Sequence, residues 1–497
     1  MFPERSGRSV GAVARKWPAP GQASASAAAT PRRPTLATFD GGGTDIPGGV
    51  AGPVGRVLVV GAGVAGLTVA NALTHAGVEC LVLEARDRIG GRLHTADLGG
   101  LPVDLGGSWI HMPDGNPMTV FARLAGVPCE SADPVPEMAG FDCGEGRLPA
   151  AETTDLLGCY LEGLPESTEG LLAMLGQDAS MAQAIEAFVA SGDQPPEQAR
   201  RVRQMLYAGI EAESADLAER QSLRWMWNEL EYGGSYFGDV PVGGYRRLMD
   251  AMVSDVDVRL GRSVTEIEAS RDGVRVRTAD GSVEEGSHVV VTVPLGVLKR
   301  GLPRFSPALP PDRLAAIERL GFGRFEKVAL RFSEPFWRDA GFPHLMVFPR
   351  DPDEWMVWVM GQDAFGGGPV LVFFVFHSAA ERLAAADRDA AVRWALGMLA
   401  EATGRPCPEP AAVAVTSWAA DPWAGGAYTH IPPGASPADA DLLGDPVGGR
   451  LLFAGEHTQS ARLAYADGAL TSGIREAKRL LGTPAVRLTV NHASKGA

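Results

Sequence analysis

Two stretches at opposite ends of the 497-residue chain restrict its fold most: Arg56 to Arg92 (RVLVVGAGVAGLTVANALTHAGVECLVLEARDRIGGR) and Leu451 to Leu480 (LLFAGEHTQSARLAYADGALTSGIREAKRL). The first reads as a strand, a Gly-rich turn, a helix and a second strand that ends in an acid. The second reads as a strand, a Gly-Glu turn and a closing helix. Gly61-x-Gly63-x-x-Gly66 follows the strand Val57 to Val60 and opens the helix. Its glycines serve a tight turn, close backbone approach to a pyrophosphate, and helix–strand contact. The helix N-terminus adds a dipole and free N–H groups for the phosphates. Glu84 ends the next strand about 20 residues on, where a carboxylate accepts from ribose hydroxyls and disfavours a 2′-phosphate. Arg92, after the Gly90-Gly91 pair, is placed to neutralise the pyrophosphate. A dinucleotide site built from both ends of a chain is enclosed and suits a tightly held cofactor. The pattern points to a flavin.

The length allows two domains or one large bipartite fold with core enough for a buried cofactor. Hydrophobic residues make up 45% and charged residues 21%, ordinary values for a globular enzyme. No apolar run approaches the ~20 residues that span a bilayer. The start, MFPERSGRSVGAVARKW, is basic but lacks the apolar h-region and cleavage site of a signal peptide. It reads as a disordered extension, with transit-peptide character as the alternative. Net charge is −15; residues 1–52 carry six basic and three acidic residues, so the remainder is more acidic still. That argues against nucleic acid as a partner and favours cationic small molecules through long-range steering. The five cysteines are odd in number and form no CxxC pair, so neither a disulfide framework nor a zinc site is expected. A reducing compartment, the cytoplasm, follows. Only five lysines stand against 40 arginines, which makes each lysine informative.

Residues 1–52 are rich in Ala, Ser, Gly, Pro and Arg and cannot bury enough apolar surface to order themselves. Thr153 to Glu231 alternates polar and apolar positions at helical spacing and reads as a helical insertion. Val256 to Val293 changes to strands with tight turns, marked by Asp-Gly pairs at 272–273 and 280–281. A second mixed region supplies the strands KVALRF and LVFFVFH, then the helix-like DRDAAVRWALGMLAEATG. The expected organisation is a disordered extension at 1–52, and a discontinuous cofactor domain at 53–135, 240–300 and 405–482. A substrate domain occupies 136–239 and 301–404, and a flexible tail 483–497.

From Arg56 onward the residues resemble the flavin-containing amine oxidases, the group with monoamine oxidases, polyamine oxidases and flavin histone demethylases. The matching stretches are EARDRIGGR, DLGGSWIHMPDGNP, PVGGYRRLMDAM, VVVTVPLGVLK, GFGRFEKVALRF, SWAADPWAGGAYT and FAGEHT…YADGALTSGIREA, in the family's order. The resemblance implies an α/β fold: a bipartite FAD-binding Rossmann-type (GR2-like) domain with an inserted α+β substrate domain. It implies FAD contacts at Gly61, Gly63, Ala65, Gly66, Glu84, Arg86, Arg92, Gly107, Ser108, Trp109, Val264, Trp418, Gly455, Glu456 and Ala466. Lys327 matches the lysine that holds a water against flavin N5 in similar enzymes; a compact ammonium suits that role and loses pKa when buried. On an edge strand the same lysine would only snorkel to solvent. Tyr428 and Tyr465 match an aromatic pair in front of the flavin, two ring faces that admit an amine nitrogen. His111 falls where polyamine oxidases place a histidine near the substrate, able to bond a distal nitrogen or relay a proton.

Departures from the family pattern add detail. Ala427 stands where animal monoamine oxidases carry the cysteine that binds flavin covalently, so FAD is expected to be noncovalent. Met112 replaces the usual glycine after His111. Arg462, close to the second cage residue, either meets a substrate carboxylate or contacts solvent, with solvent favoured. The reaction implied is hydride transfer from the carbon α to a neutral amine, hydrolysis of the iminium to a carbonyl, and reoxidation by O2 to give H2O2. A polyamine or other secondary or primary amine leads as substrate. The runner-up is an L-amino-acid oxidase, or a specialised biosynthetic amine oxidase or desaturase. A histone demethylase ranks low for want of a chromatin-targeting domain or coiled-coil insertion. A non-catalytic flavin-binding scaffold is the alternative outside enzymology. The expected partners are a small-molecule amine and O2, without nucleic acid or membrane; the oligomeric state is left open.

Overall fold

Valine- and leucine-rich runs without polar alternation make strands buried on both faces, and four such runs build most of one parallel sheet. Its order is Asp257–Arg259, Cys80–Leu83, Val57–Val60, His288–Val291, Leu451–Phe453. All but the first strand are buried at every position. This computed structural model describes residues 35–39 (backbone only) and 49–490, apart from 134–136, 193, 254, 342 and 385–386. The helix Val64–His75 leaves the central strand and packs on the closing helix Ala466–Leu481. The two approach so closely that a Cβ at Gly473 would stand 2.6 Å from the Ala65 carbonyl oxygen. The ends of the chain therefore meet at one sheet, as the opening sequence pattern requires.

A seven-stranded sheet forms the second layer system, in the order Ala412–Val415, Glu326–Arg331, Val370–Val375, Val357–Gly361, His344–Phe348, Met138–Asp142, Gly146–Arg147. Its strands alternate. Ala329, Met346, Met360, Val372 and Phe374 face the helices of residues 150–214, and Leu330, Val347, Val359, Leu371 and Phe373 face the helix Arg388–Thr403. Hairpins turn at both Asp-Gly pairs, joining Val264–Ala269, Val274–Thr278 and Val283–Gly286. Among the described residues no helix is long and apolar enough to cross a membrane.

Three expected boundaries are corrected. Ala412–Val415, assigned to the cofactor domain, extends the seven-stranded sheet beside Glu326–Arg331. The insertion is helical only through Ser214 and a short turn at Ala218–Arg220, not to Glu231. Ala215 adopts a left-handed φ of 55°, which stops the helix, and residues 225–229 run along a cavity instead. The flexible tail and disordered extension contain an antiparallel ribbon, Thr35–Phe39 with Val486–Val490. Val486, Leu488 and Val490 are buried in the core around the first helix. Asn71 mimics a strand there: its amide donates to the Thr489 carbonyl at 2.8 Å and its oxygen accepts from Thr489 N at 2.7 Å. Residues 1–34, 40–48 and 491–497 lie outside the described residues.

Candidate active site

One cavity of about 600 Å3 is lined by every proposed site residue except Gly66. Gly66 lies behind the turn, where a Cβ would strike the Gly61 carbonyl oxygen at 2.0 Å. Gly61 takes a left-handed φ of 106°, and Gly63 caps the first helix with open space where a side chain would stand. That helix has no side-chain cap, so its first N–H groups face the cavity as anion donors. Glu84 is buried, and each oxygen already accepts one backbone N–H, from Ala62 at 2.7 Å and from Arg86 at 2.8 Å. Each keeps a second lone pair for a hydroxyl. Arg86 forms a two-pronged pair with Asp421, at 2.6 and 2.9 Å. Arg92 Nη1 donates at 2.8 Å to both the Ala427 carbonyl and Glu456 Oε1. Burial opposes ionisation of Glu456, yet Arg92 and His457 hold its carboxyl below the usual range. The indole N–H of Trp109 is buried without a hydrogen-bond partner. Free helix amides, an open approach at Gly63, a buried acid with lone pairs to spare and an orphaned indole donor fit an FAD. Among the described residues no cysteine lines the cavity.

Lys327 is not on an edge strand. Its strand lies between two neighbours, and its register partner is Phe374. The ammonium is 4% exposed and donates to Asp104 O at 3.0 Å, Gly106 O at 2.6 Å and Ser108 Oγ at 2.6 Å. Its three N–H bonds are thus all engaged by protein, and a water enters that shell only if the Ser108 hydroxyl turns aside. Burial lowers its pKa from 10.5 to about 8, with Asp104 opposing. Tyr428 donates its hydroxyl to the Ala212 carbonyl. Tyr465 pairs through its hydroxyl with Glu229. His111 Nδ1 lies 2.8 Å from the Tyr236 carbonyl. A carbonyl only accepts, so Nδ1 carries the proton and Nε2 keeps its lone pair. Burial depresses the pKa of His111. Met112 sits at φ 48°, a left-handed conformation that costs a β-carbon-bearing residue about 1–2 kcal/mol.

Arg462 contradicts both sequence expectations. It is 1% exposed, forms a two-pronged pair with Asp467 at 2.7 and 3.2 Å, and stacks 3.8 Å from the Tyr465 ring centroid. Neither solvent nor a substrate carboxylate is its partner.

Sequence reasoning missed the wall around the substrate end. His111, Trp109, Phe374, Phe325 and Phe376 form one arc of touching rings, and Trp358, Phe237 and Tyr236 return it to His111. Neighbouring centroids lie 5.3–6.4 Å apart. Tyr465 joins this circuit at His111 and Tyr428 joins it at Phe325. Two acids open onto the same cavity. Glu213 accepts from the hydroxyls of Tyr160, at 2.5 Å, and Tyr236; burial raises its pKa. Glu229 is pushed up to about 7, by burial first and Glu213 second. The period-2 pattern of LVFFVFH was the available signal for Phe374 and Phe376. Nothing in the helix end Ile210-Glu211-Ala212-Glu213-Ser214 distinguishes Glu213 from Glu211 in the sequence.

A family model described as flavin containing amine oxidoreductase matches residues 64–481. The chain is 33% identical over 457 residues to the lysine-specific histone demethylase 1 homolog 3 of Oryza sativa subsp. indica, covering 88% of this chain and 56% of that protein. It is 34% identical over 453 residues to homolog 2 of Oryza sativa subsp. japonica, covering 88% and 58%. With the protein FLOWERING LOCUS D of Arabidopsis thaliana it shares 33% over 441 residues, 85% and 55% of the two chains. The chain thus spans rather more than half the length of these curated relatives. Their names include the class that the motif reading ranked low.

Proposed function

The chain belongs to the flavin-containing amine oxidoreductases, and from that premise we propose that it oxidises an amine whose carbon chain carries a second cationic nitrogen, a polyamine being the simplest case. The observation that supports this choice is the pair of acids, Glu213 and Glu229, set among aromatic faces on the cavity wall. Aromatic rings favour methylene carbons and the amine carbons next to nitrogen. Carboxylates beside them favour a cation that the reacting nitrogen, taken in neutral, does not supply.

Bound FAD supplies the two-electron acceptor for the carbon next to the amine nitrogen, and O2 regenerates it with release of H2O2. The residues of the chain do the rest. Gly61, Gly63 and the first helix hold the pyrophosphate, Glu84 the ribose, and Arg92 with Glu456 the region where both ends of the chain meet. Tyr428 and Tyr465 orient the nitrogen between ring faces. The aromatic circuit excludes water from the reacting carbon. Lys327, with Ser108, holds the one buried ammonium of this region and so governs where a proton or water sits. The product side is a carbonyl compound and a shorter amine.

The L-amino-acid reading loses its support, because Arg462 was its clamp and is engaged by Asp467. A second reading draws on the two rice relatives: an N-methylated lysine side chain in a peptide, the chemistry their names carry. Anaerobic titration of the FAD-loaded protein, following loss of the flavin's visible band, separates the two. Spermidine and spermine are expected to bleach it, and tyramine to do so poorly. Bleaching by a monomethyl-lysine peptide alone would replace the polyamine reading with the second. No bleaching by any amine would overturn both.

A further inference from the structure

Arg462 is among the largest fully buried side chains of the protein, and what surrounds it faces the cavity. Its guanidinium lies 3.8 Å from the Tyr465 ring centroid and 5.1 Å from that of Tyr232. Nη1 donates to the Leu230 carbonyl at 3.1 Å, and Nε and Nη2 grip Asp467. Five residues in sequence separate the ion pair, across the start of the closing helix: Tyr465 is its N-cap and Asp467 lies in its first turn. The other titratable neighbours of Tyr465 include Glu229 at its hydroxyl, Glu213, Tyr160 and Tyr236 nearby, and His111 against its edge. Tyr465 itself lines the cavity, so one of its faces is taken by a fixed cation.

We infer that Arg462 is a positioning residue that sets the charge preference of the cage. By stacking on the outer face of Tyr465, it makes the inner face a wall for neutral amines rather than for ammonium ions. This rests on the reading of Tyr465 as a wall of the amine site. An aromatic ring attracts a cation through its negative face. A guanidinium already stacked there draws on the same electron density. A second cation on the opposite face would stand some 7–8 Å from the first, close enough for like charges to repel inside a protein. Asp467 offsets part of that field, so the effect is a bias and not a block. Together with Glu213 and Glu229 the arrangement gives a polyamine one register: its reacting nitrogen uncharged at the ring face, another nitrogen charged at the acids.

The test uses two probes of one shape, choline with a fixed positive charge and its neutral carbon isostere 3,3-dimethylbutan-1-ol. Their binding to the FAD-loaded protein is measured by calorimetry and by perturbation of the flavin spectrum. The wild type is expected to bind the neutral probe at least as tightly as choline. Arg462→Met is expected to move the ratio toward choline by about five-fold. Arg462→Met combined with Asp467→Asn leaves no lone buried carboxylate and is expected to shift it the same way. Arg462→Lys, which keeps a cation, is expected to stay near the wild-type ratio. A wild type that prefers choline by more than about ten-fold, or a ratio unmoved in both Met variants, overturns the inference and leaves the amine-site reading standing. A wild type that binds neither probe overturns the reading of Tyr465 as a cage wall and the inference with it.

Discussion

Replacing Lys327 by methionine tests the burial of its ammonium directly, through stability rather than turnover. A pKa lowered from 10.5 to about 8 means the interior disfavours the cation by roughly 3 kcal/mol relative to water, at about 1.4 kcal/mol for each tenfold. The sign follows from proton counting. Between pH 8 and 10.5 the unfolded chain holds a proton on this group that the folded protein has released, so stability rises with pH through that window. Below pH 8 both states are protonated and the full penalty applies; above 10.5 it vanishes. Lys327→Met removes the titration and keeps most of the side-chain volume. From pH 7 to pH 10 the wild type should therefore gain about 2–3 kcal/mol relative to the variant. The assay is urea unfolding of both proteins at a fixed excess of FAD, at pH 7, 8, 9 and 10, taking the difference at each pH so that other groups cancel. A difference constant within about 0.5 kcal/mol, or one that moves the opposite way, refutes the claim that Nζ is desolvated and held only by Asp104 O, Gly106 O and Ser108 Oγ.

Glu229→Gln should raise KM for spermidine about ten-fold while leaving tyramine within about two-fold, since only a second cation uses the acid. Because the Glu229 carboxyl is pushed up to about 7, it protonates as pH falls through 7. On the acid side wild-type affinity for spermidine should then fall more steeply than that of Glu229→Gln, which keeps only the fall due to protonation of the reacting amine. Gly66→Ala should cost at least ~2 kcal/mol of stability and most bound FAD, because the atom it strikes, the Gly61 carbonyl oxygen at 2.0 Å, is backbone and cannot step aside; retained colour and midpoint would contradict it. Acid precipitation should release all the flavin into the supernatant, since Ala427 offers no nucleophile and no described cysteine lines the cavity. Colour left in the pellet would show a covalent link elsewhere.

What the sequence made legible was what a short local pattern can encode. Gly61, Gly63 and Gly66 sit two and three residues apart because one turn needs them there, and Glu84 ends the strand that the turn's helix leads to. Lys327 stood out because lysine is so scarce in this chain. The acids and the aromatic wall were not legible, for a physical reason. Glu213 comes from the end of one helix, Glu229 from an irregular run, Trp358 and Phe374 from two strands, Phe376 from the residue after the second strand, and Tyr236 from a loop. They meet only because the seven-stranded sheet and the helices of residues 150–214 close over one another. Arg462 misleads because an arginine in the short turn Ser460-Ala461-Arg462-Leu463-Ala464 looks solvent-exposed until Asp467, in the first turn of the next helix, is seen to face it. The tail was misjudged because a five-residue strand carries little signal until its partner, 35–39, is found at the other end.

The sheet that holds the flavin interleaves early and late strands, and Arg92 waits for Glu456 across 364 residues of sequence. On the ribosome this order has a cost in time. The Gly-rich turn, its helix and Glu84 emerge early but have no closing helix to lie against, and the first helix stays uncovered until Val486–Val490 arrives. Cofactor capture is therefore expected only at the end of synthesis, and a chain truncated before the closing helix Ala466–Leu481 should be colourless, with the face of the first helix open to proteases.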